Sequence, residues 1–164
     1  MRWGIVLLLV ASAGCDLVFT VEEPRGACPV IFGVDRYKYN STPEVWLVAA
    51  ARCAQLDNDP DDLTFTHLAV TSSELEVNSV RYPNDFVEAW VGLTDRVVRD
   101  DWHWVTDEAV EQIPWGVTEP DDTATQRCGR VDVSDYTVHD SSCNEPKAYV
   151  CECDEFPIDP THIE

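Results

Sequence analysis

Residues 89–128 read AWVGLTDRVVRDDWHWVTDEAVEQIPWGVTEPDDTATQRC, and the reading of the whole chain turns on this stretch. Trp90 to Thr94 and Trp102 to Thr106 are short runs rich in aromatic and β-branched residues, a pattern that predicts two strands separated by loops. Four of the six tryptophans of the chain fall here: Trp90, Trp102, Trp104 and Trp115. Rings of that size are expected in a core rather than as a ligand platform. Gly92 sits inside the first run, where a missing side chain lets a neighbour approach closely. Glu119-Pro120-Asp121-Asp122 then forms a polar turn carrying three carboxylates.

Upstream, the texture is helical. Thr42 is a suitable N-cap, Pro43 suits a first helical position and Glu44 suits a first turn, which predicts a helix from Pro43 to about Leu56. Trp46, Ala49, Ala50 and Cys53 fall on one face of it. A second helix is expected from Ser72 or Ser73, with Glu74 and Glu76 in its first turn, ending near Tyr82-Pro83. Leu75, Val77 and Val80 would supply its apolar contacts. Downstream, Arg130 to Val133 and Ala148 to Cys151 predict two more strands. Helices first and strands after point to an α+β domain. The cluster Asp57-Asn58-Asp59-Pro60-Asp61-Asp62 reads as a solvated loop, because it lacks the Gly and distal Glu of an EF-hand. Residues 154–164 form an acidic tail expected to fray.

The chain has 164 residues, enough for one domain with a real core. Its 31 Asp and Glu against 11 Lys and Arg give a formal charge of −20, which excludes nucleic acid or an anionic membrane as the partner of a basic face. Seven cysteines are too many for a reducing cytosol and predict disulfides in an exported protein. The N-terminus agrees with export. MRWGIVLLLVASAG, residues 1–14, has one Arg, an apolar run far shorter than the ~20 residues of a membrane span, and then small residues. Ser12-Ala13-Gly14-Cys15 resembles the lipobox of bacterial lipoproteins, although Ser12 stands where a Leu is usual. On that reading Cys15 is lipidated, residues 15–27 are a tether, and six cysteines remain. Ordinary cleavage after Ala11-Ser12-Ala13 is the alternative, and it would leave Cys15 as a thiol. Six cysteines allow 15 pairings, and arithmetic does not choose among them. A metal pair at Cys151-Glu152-Cys153 finds no second Cys or His pair at zinc spacing.

The landmarks fall in one order: Trp46-x-x-Ala49-x-x-x-Cys53, Trp90-Val91-Gly92-Leu93, Glu119-Pro120-Asp121, Cys128, Cys143 and Tyr149-Val150-Cys151. The ordered set resembles the C-type lectin-like domain family over residues 28–153. That family has a tryptophan-containing first helix with a Cys, a "WIGL" strand, an "EPN" or "QPD" loop, a "WND" strand and four core cysteines. The resemblance implies two helices packed on small antiparallel sheets with a long loop region. It also implies the disulfides Cys53–Cys151 and Cys128–Cys143, and it leaves Cys28 and Cys153 as the third pair.

In sugar-binding members the loop proline is typically cis, and side chains around it hold one calcium ion that also binds the sugar hydroxyls. Calcium takes hard oxygen ligands, usually about 6–8. Carried onto this chain, the metal set is Glu119, Asp121, Asp122 and Asp140, and the ligand set is Glu119, Asp121, Gln126, His139 and Asp140. Glu-Pro-Asp matches neither sugar motif in full, and Gln126 stands where the family has a Glu. The "WND" triplet falls on Val138-His139-Asp140, and imidazole is a poor ligand for a hard cation.

The expected function is an exported, surface-anchored binding module that takes a glycan with calcium. The alternative is calcium-independent recognition of a protein or surface through a degenerate site. No nucleic acid is expected, and no membrane contact beyond a lipid on Cys15. The expected location is extracytoplasmic, lipid-anchored to a bacterial membrane, or otherwise secreted. Catalysis is not expected. His139, Asp140 and Ser141 are consecutive and alternate sides on an extended chain, and His67, His103 and His162 have no obvious sequence partners. Asn40-Ser41-Thr42 is formally a glycosylation sequon, but Thr42 reads better as the helix cap.

Overall fold

The last strand organises the sheet. In the computed structural model, which describes residues 36–56, 64–81, 87–106, 108–110, 112–121, 124–132 and 134–163, β7 (Lys147–Asp154) is buried along nearly its whole length. One of its edges pairs antiparallel with β1 (Tyr37–Glu44), from Tyr37 opposite Glu152 to Glu44 opposite Lys147. Its other edge is shared. β3 (Glu88–Thr94) runs parallel to it at Ala148 and Tyr149, and β2 (Phe65–Leu68) runs antiparallel to it from Cys151 to Asp154. β5 (Gln126–Asp132) pairs antiparallel with β3, and β6 (Thr137–Ser142) with β5. The two-residue β4 (His103–Trp104) adds to β3 at Leu93 and Thr94. The sheet is therefore one connected, mixed sheet, not a set of small antiparallel ones. Tyr149 lies opposite Asn40 on one side and Trp90 on the other, so β7 joins β1 to β3 at this residue.

Helix α1 spans Trp46–Ala54, and Trp46, Ala49, Ala50 and Cys53 are its buried residues. It begins three residues later than the sequence suggests. Thr42, Pro43 and Glu44 stay in β1, where Glu44 pairs with Lys147 and its carbonyl accepts the Trp90 indole N–H at 2.9 Å. No side chain caps α1; the first N–H, that of Trp46, donates to the Cys143 carbonyl at 3.0 Å. Helix α2 spans Glu74–Arg81. The Ser73 hydroxyl accepts the Glu76 N–H at 3.2 Å and the Ser72 hydroxyl donates to the Glu76 carboxylate at 2.8 Å. This is half of a capping box, and it places the helix start where the serines indicated. Val77 and Val80 are buried, but Leu75 is 76% exposed and contributes no core contact.

Two clusters fill the interior. One joins the buried face of α1 to Leu68, Trp90 and Tyr149, and the other joins Val77 and Val80 of α2 to Val91, Leu93 and Trp104. Trp90 and Trp104 are fully buried. Trp102 and Trp115 are only partly buried and meet edge to face with centroids 5.0 Å apart. A Cβ on Gly92 would lie 2.6 Å from the Leu68 carbonyl oxygen and 2.7 Å from a Val105 methyl, so that crossing requires glycine. Cys53–Cys151 ties α1 to β7, and Cys128–Cys143 joins β5 to the turn after β6. Cys153 is also disulfide-bonded, and its partner is none of the other described cysteines.

The tail is not frayed. Asp154 is buried against His67, Ile158 bridges to Thr106, and a 3-10 helix at Pro160–His162 brings the His162 imidazole to the Trp104 carbonyl at 2.9 Å. His103 stacks on His162 with centroids 4.4 Å apart, so none of His67, His103 and His162 lacks a partner. The leader, Cys15, the tether, Cys28, the acidic cluster 57–62, Tyr82-Pro83 and Asp122 lie outside the described residues. Among the described residues no helix is long and apolar enough to cross a membrane.

Candidate cation and ligand site

The site is built where the loop after β4 is sewn onto β6. Val138 donates its N–H to the Pro114 carbonyl at 2.8 Å, and Gly116 donates to the Val138 carbonyl at 2.9 Å. A Cβ on Gly116 would meet His139 Nε2 at 2.8 Å and the Thr137 hydroxyl at 2.9 Å, so only glycine lets the loop lie this close. Glu119 donates its N–H back to the Gly116 carbonyl at 3.0 Å, which closes a turn through Thr118 in the left-handed region. The Glu119–Pro120 peptide is cis.

Glu119 and Asp121, on either side of that proline, both reach Asp140. The Asp121 N–H points at Asp140 Oδ1 and the Asp140 N–H at Glu119 Oε2, each at 3.4 Å. One oxygen from each of Glu119, Asp121 and Asp140 lies within 4.8 Å of the others. Asp140 is buried, Glu119 is partly buried and Asp121 faces solvent. Burial opposes ionisation of Glu119, but its contacts with Asp140 and His139 outweigh it and hold the carboxyl below its ordinary value. The donor set is all carboxylate oxygen, which fits a hard divalent cation.

Two of the expected ligand residues take other roles. Gln126, at the start of β5, donates its amide N–H to Asp121 Oδ1 at 3.0 Å, so its nitrogen and not its oxygen faces the carboxylates. His139 places Nδ1 3.1 Å from Glu119 Oε1 and Nε2 2.9 Å from Asp135 Oδ2, with the Thr137 hydroxyl also at 3.1 Å from Nε2. The imidazole thus occupies one oxygen of Glu119 instead of supplying a hard ligand. Asp135 is exposed, and its bonds from Thr137 and His139 outweigh what little desolvation it meets and hold its carboxyl low. Sequence reasoning passed over Asp135 and Thr137. Their contact with His139 depends on the turn between β5 and β6, and the spacing Asp135-x-Thr137-x-His139 is its only trace in the sequence.

A disulfide-braced α+β fold whose long loop presents carboxylates around a cis proline is the architecture of a class of ligand-binding domains. The family model described as the lectin C-type domain matches residues 45–153, and the chain belongs to this family. Among curated relatives, mouse (Mus musculus) asialoglycoprotein receptor 2 is 29% identical over 149 residues, covering 84% of this chain and 46% of the receptor. The chain therefore spans about half the length of that relative. Human (Homo sapiens) lithostathine-1-beta is 26% identical over 153 residues, covering 89% of this chain and 90% of the relative. Among solved structures, the C-type lectin CEL-I from Cucumaria echinata superposes with a TM-score of 0.65 at 20% identity, covering 72% of this chain and 89% of the lectin. At that identity the likeness speaks for the fold.

Proposed function

We propose that this domain binds a glycan with the help of a calcium ion held by Glu119, Asp121 and Asp140. The convergence of three carboxylate oxygens within 4.8 Å is the observation that carries this reading. Calcium bound there would lend its open coordination positions to vicinal sugar hydroxyls, while the carboxylates accept hydrogen bonds from the same hydroxyls. The name of one relative, an asialoglycoprotein receptor, supports the ligand class. One observation favours a second reading, calcium-independent recognition of a protein or surface. His139 already holds Glu119, and Gln126 already holds Asp121, so the site is satisfied by its own side chains.

Thermal melts separate the two. Calcium at about ten times its dissociation constant stabilises by about 1.4 kcal/mol, which in a domain of this size is a rise of about 3–6 °C. Asp140→Asn is expected to abolish the rise. A glycan array run with calcium and again with chelator then tests the ligand; binding that persists in chelator would establish the second reading.

The domain is further proposed to act outside the cytoplasm, held to a membrane by a lipid on Cys15. The support is the leader-like stretch 1–14, the small residues before Cys15 and the disulfide-bonded core. The intact mass of the exported protein is expected to show a lipid on Cys15; an unmodified chain beginning at Gly14 would refute it.

A further inference from the structure

A cavity of about 380 Å³ opens between the N-terminal end of α1 and the start of β5, and none of the described residues lining it is acidic. Val45, Leu47 and Val48 form its apolar wall, and Arg96, Arg127 and Thr125 form its polar one. Thr125 and Arg127 flank Gln126, which points instead at Asp121, so the cavity is separate from the carboxylate site. In a chain of net charge −20, two of the 11 cationic side chains meet at this one cleft.

The two arginines are not equivalent. Arg127 is neutralised by the buried Asp95: its Nε donates to Asp95 Oδ1 at 3.1 Å and it also bonds the Asp95 carbonyl. Arg96 has no carboxylate partner among the described residues. It donates one N–H to the neutral Ile163 carbonyl at 2.9 Å and lies over the Trp46 ring at 5.8 Å. Those contacts hold the guanidinium in place and leave other N–H groups free to form a fork to a carboxylate. Among the described residues the cleft therefore carries one positive charge without a carboxylate partner, beside an aliphatic wall, and its volume lies in the range of small-molecule sites.

We propose that this cleft is a binding site for a small organic monocarboxylate with an apolar body, its carboxylate on Arg96 and its body against Leu47 and Val48. One net charge matches one carboxylate. A dianion such as inorganic phosphate would leave a charge unmatched in a strongly acidic molecule.

The test uses the disulfide-intact protein and phenylacetate as the probe, titrated by isothermal calorimetry and by intrinsic tryptophan fluorescence, to which Trp46 beside Arg96 contributes. Saturable binding is expected, at least ten-fold tighter than that of the neutral phenylacetamide or of inorganic phosphate. Arg96→Gln and Leu47→Glu are each expected to weaken it at least ten-fold. Leu47 is 46% exposed, so Leu47→Glu places a negative charge in the cleft without disturbing the core. Equal melting temperatures would confirm that both variants fold. The proposal is overturned by no saturable binding, by equal binding of phenylacetamide or phosphate, or by binding that both variants retain. Calcium and chelator do not enter this assay, so its outcome is independent of the carboxylate site.

Discussion

His67 has two ring nitrogens and both face acceptors: the Leu68 carbonyl at 2.9 Å and Asp154 Oδ1 at 3.0 Å. Neither partner donates when Asp154 is ionised, so the buried pair must retain a proton. Burial works against the imidazolium, but Asp154 and the Leu68 carbonyl outweigh it and raise His67 above its ordinary 6.5. Beside it, burial pushes Glu152 from 4.5 up to about 7. Both groups bind protons more tightly folded than unfolded. Their contribution is fully present below the unfolded values and is lost as pH rises through the folded ones. Asp154 runs the other way: burial opposes its ionisation, His67 outweighs that, and its contribution fades as pH falls through its lowered value. Stability is expected to be greatest in mild acid and to fall from pH 5 to pH 8 as read by urea midpoints; a flat profile would refute this. His67→Leu strands Asp154 without its partner and is expected to cost about 3–5 kcal/mol. None of this was legible along the chain. His67 and Asp154 are 87 residues apart and meet only through the register of β2 on β7. The tail reads as frayed from sequence because it is an acidic chain end carrying two prolines, Pro157 and Pro160.

Elements were legible where burial is one-sided and strong. The spacing of Trp46, Ala49, Ala50 and Cys53 identified α1, and the apolar run Trp90 to Leu93 identified β3. The start of α1 was misread because Thr42-Pro43-Glu44 also makes a good helix entry, and the pairing of Glu44 with Lys147 decided against it. β1 was not foreseen, and β6 only through the family pattern that placed a strand on Val138-His139-Asp140, since YKYNSTPE and TVHDSS are mostly polar strands at the two outer positions of the sheet order. In the candidate site, the cis proline and the grouping of Glu119, Asp121 and Asp140 were implied by the family pattern, whereas the roles of Gln126 and His139 were set by side-chain geometry that sequence does not display. The two described disulfides act at different ranges. Cys53–Cys151 spans 98 residues and Cys128–Cys143 spans 15. On the chain-entropy account, replacing the first pair by alanine costs about 4.7 kcal/mol and the second about 3 kcal/mol. Equilibrium denaturation of the two double variants checks that order, and a larger loss from the short-range pair would overturn it.

At the scale of the whole molecule, 31 acidic side chains against 11 basic ones impose a mutual repulsion that the compact state concentrates. Exposed charges a Debye length apart are screened at about 0.15 M salt and far less at about 0.01 M. Melting at pH 8 is therefore expected to rise by a few degrees when about 0.3 M sodium chloride replaces a dilute buffer; an unchanged melt would show that the acidic groups are locally balanced. The central place of β7 has a consequence for how the chain comes into being. β1, β2 and β3 all pair with this strand, α1 is bridged to it through Cys151, and the first N–H of that helix rests on Cys143. Synthesis runs from the N-terminus, so the strand that joins the others is translated after all of them. Until Lys147–Asp154 has left the ribosome, the earlier strands lack their shared neighbour. β5 and β6 can already pair with β3, but β1 and β2 gain their neighbour only when β7 is added, so closing the sheet is the late step of folding.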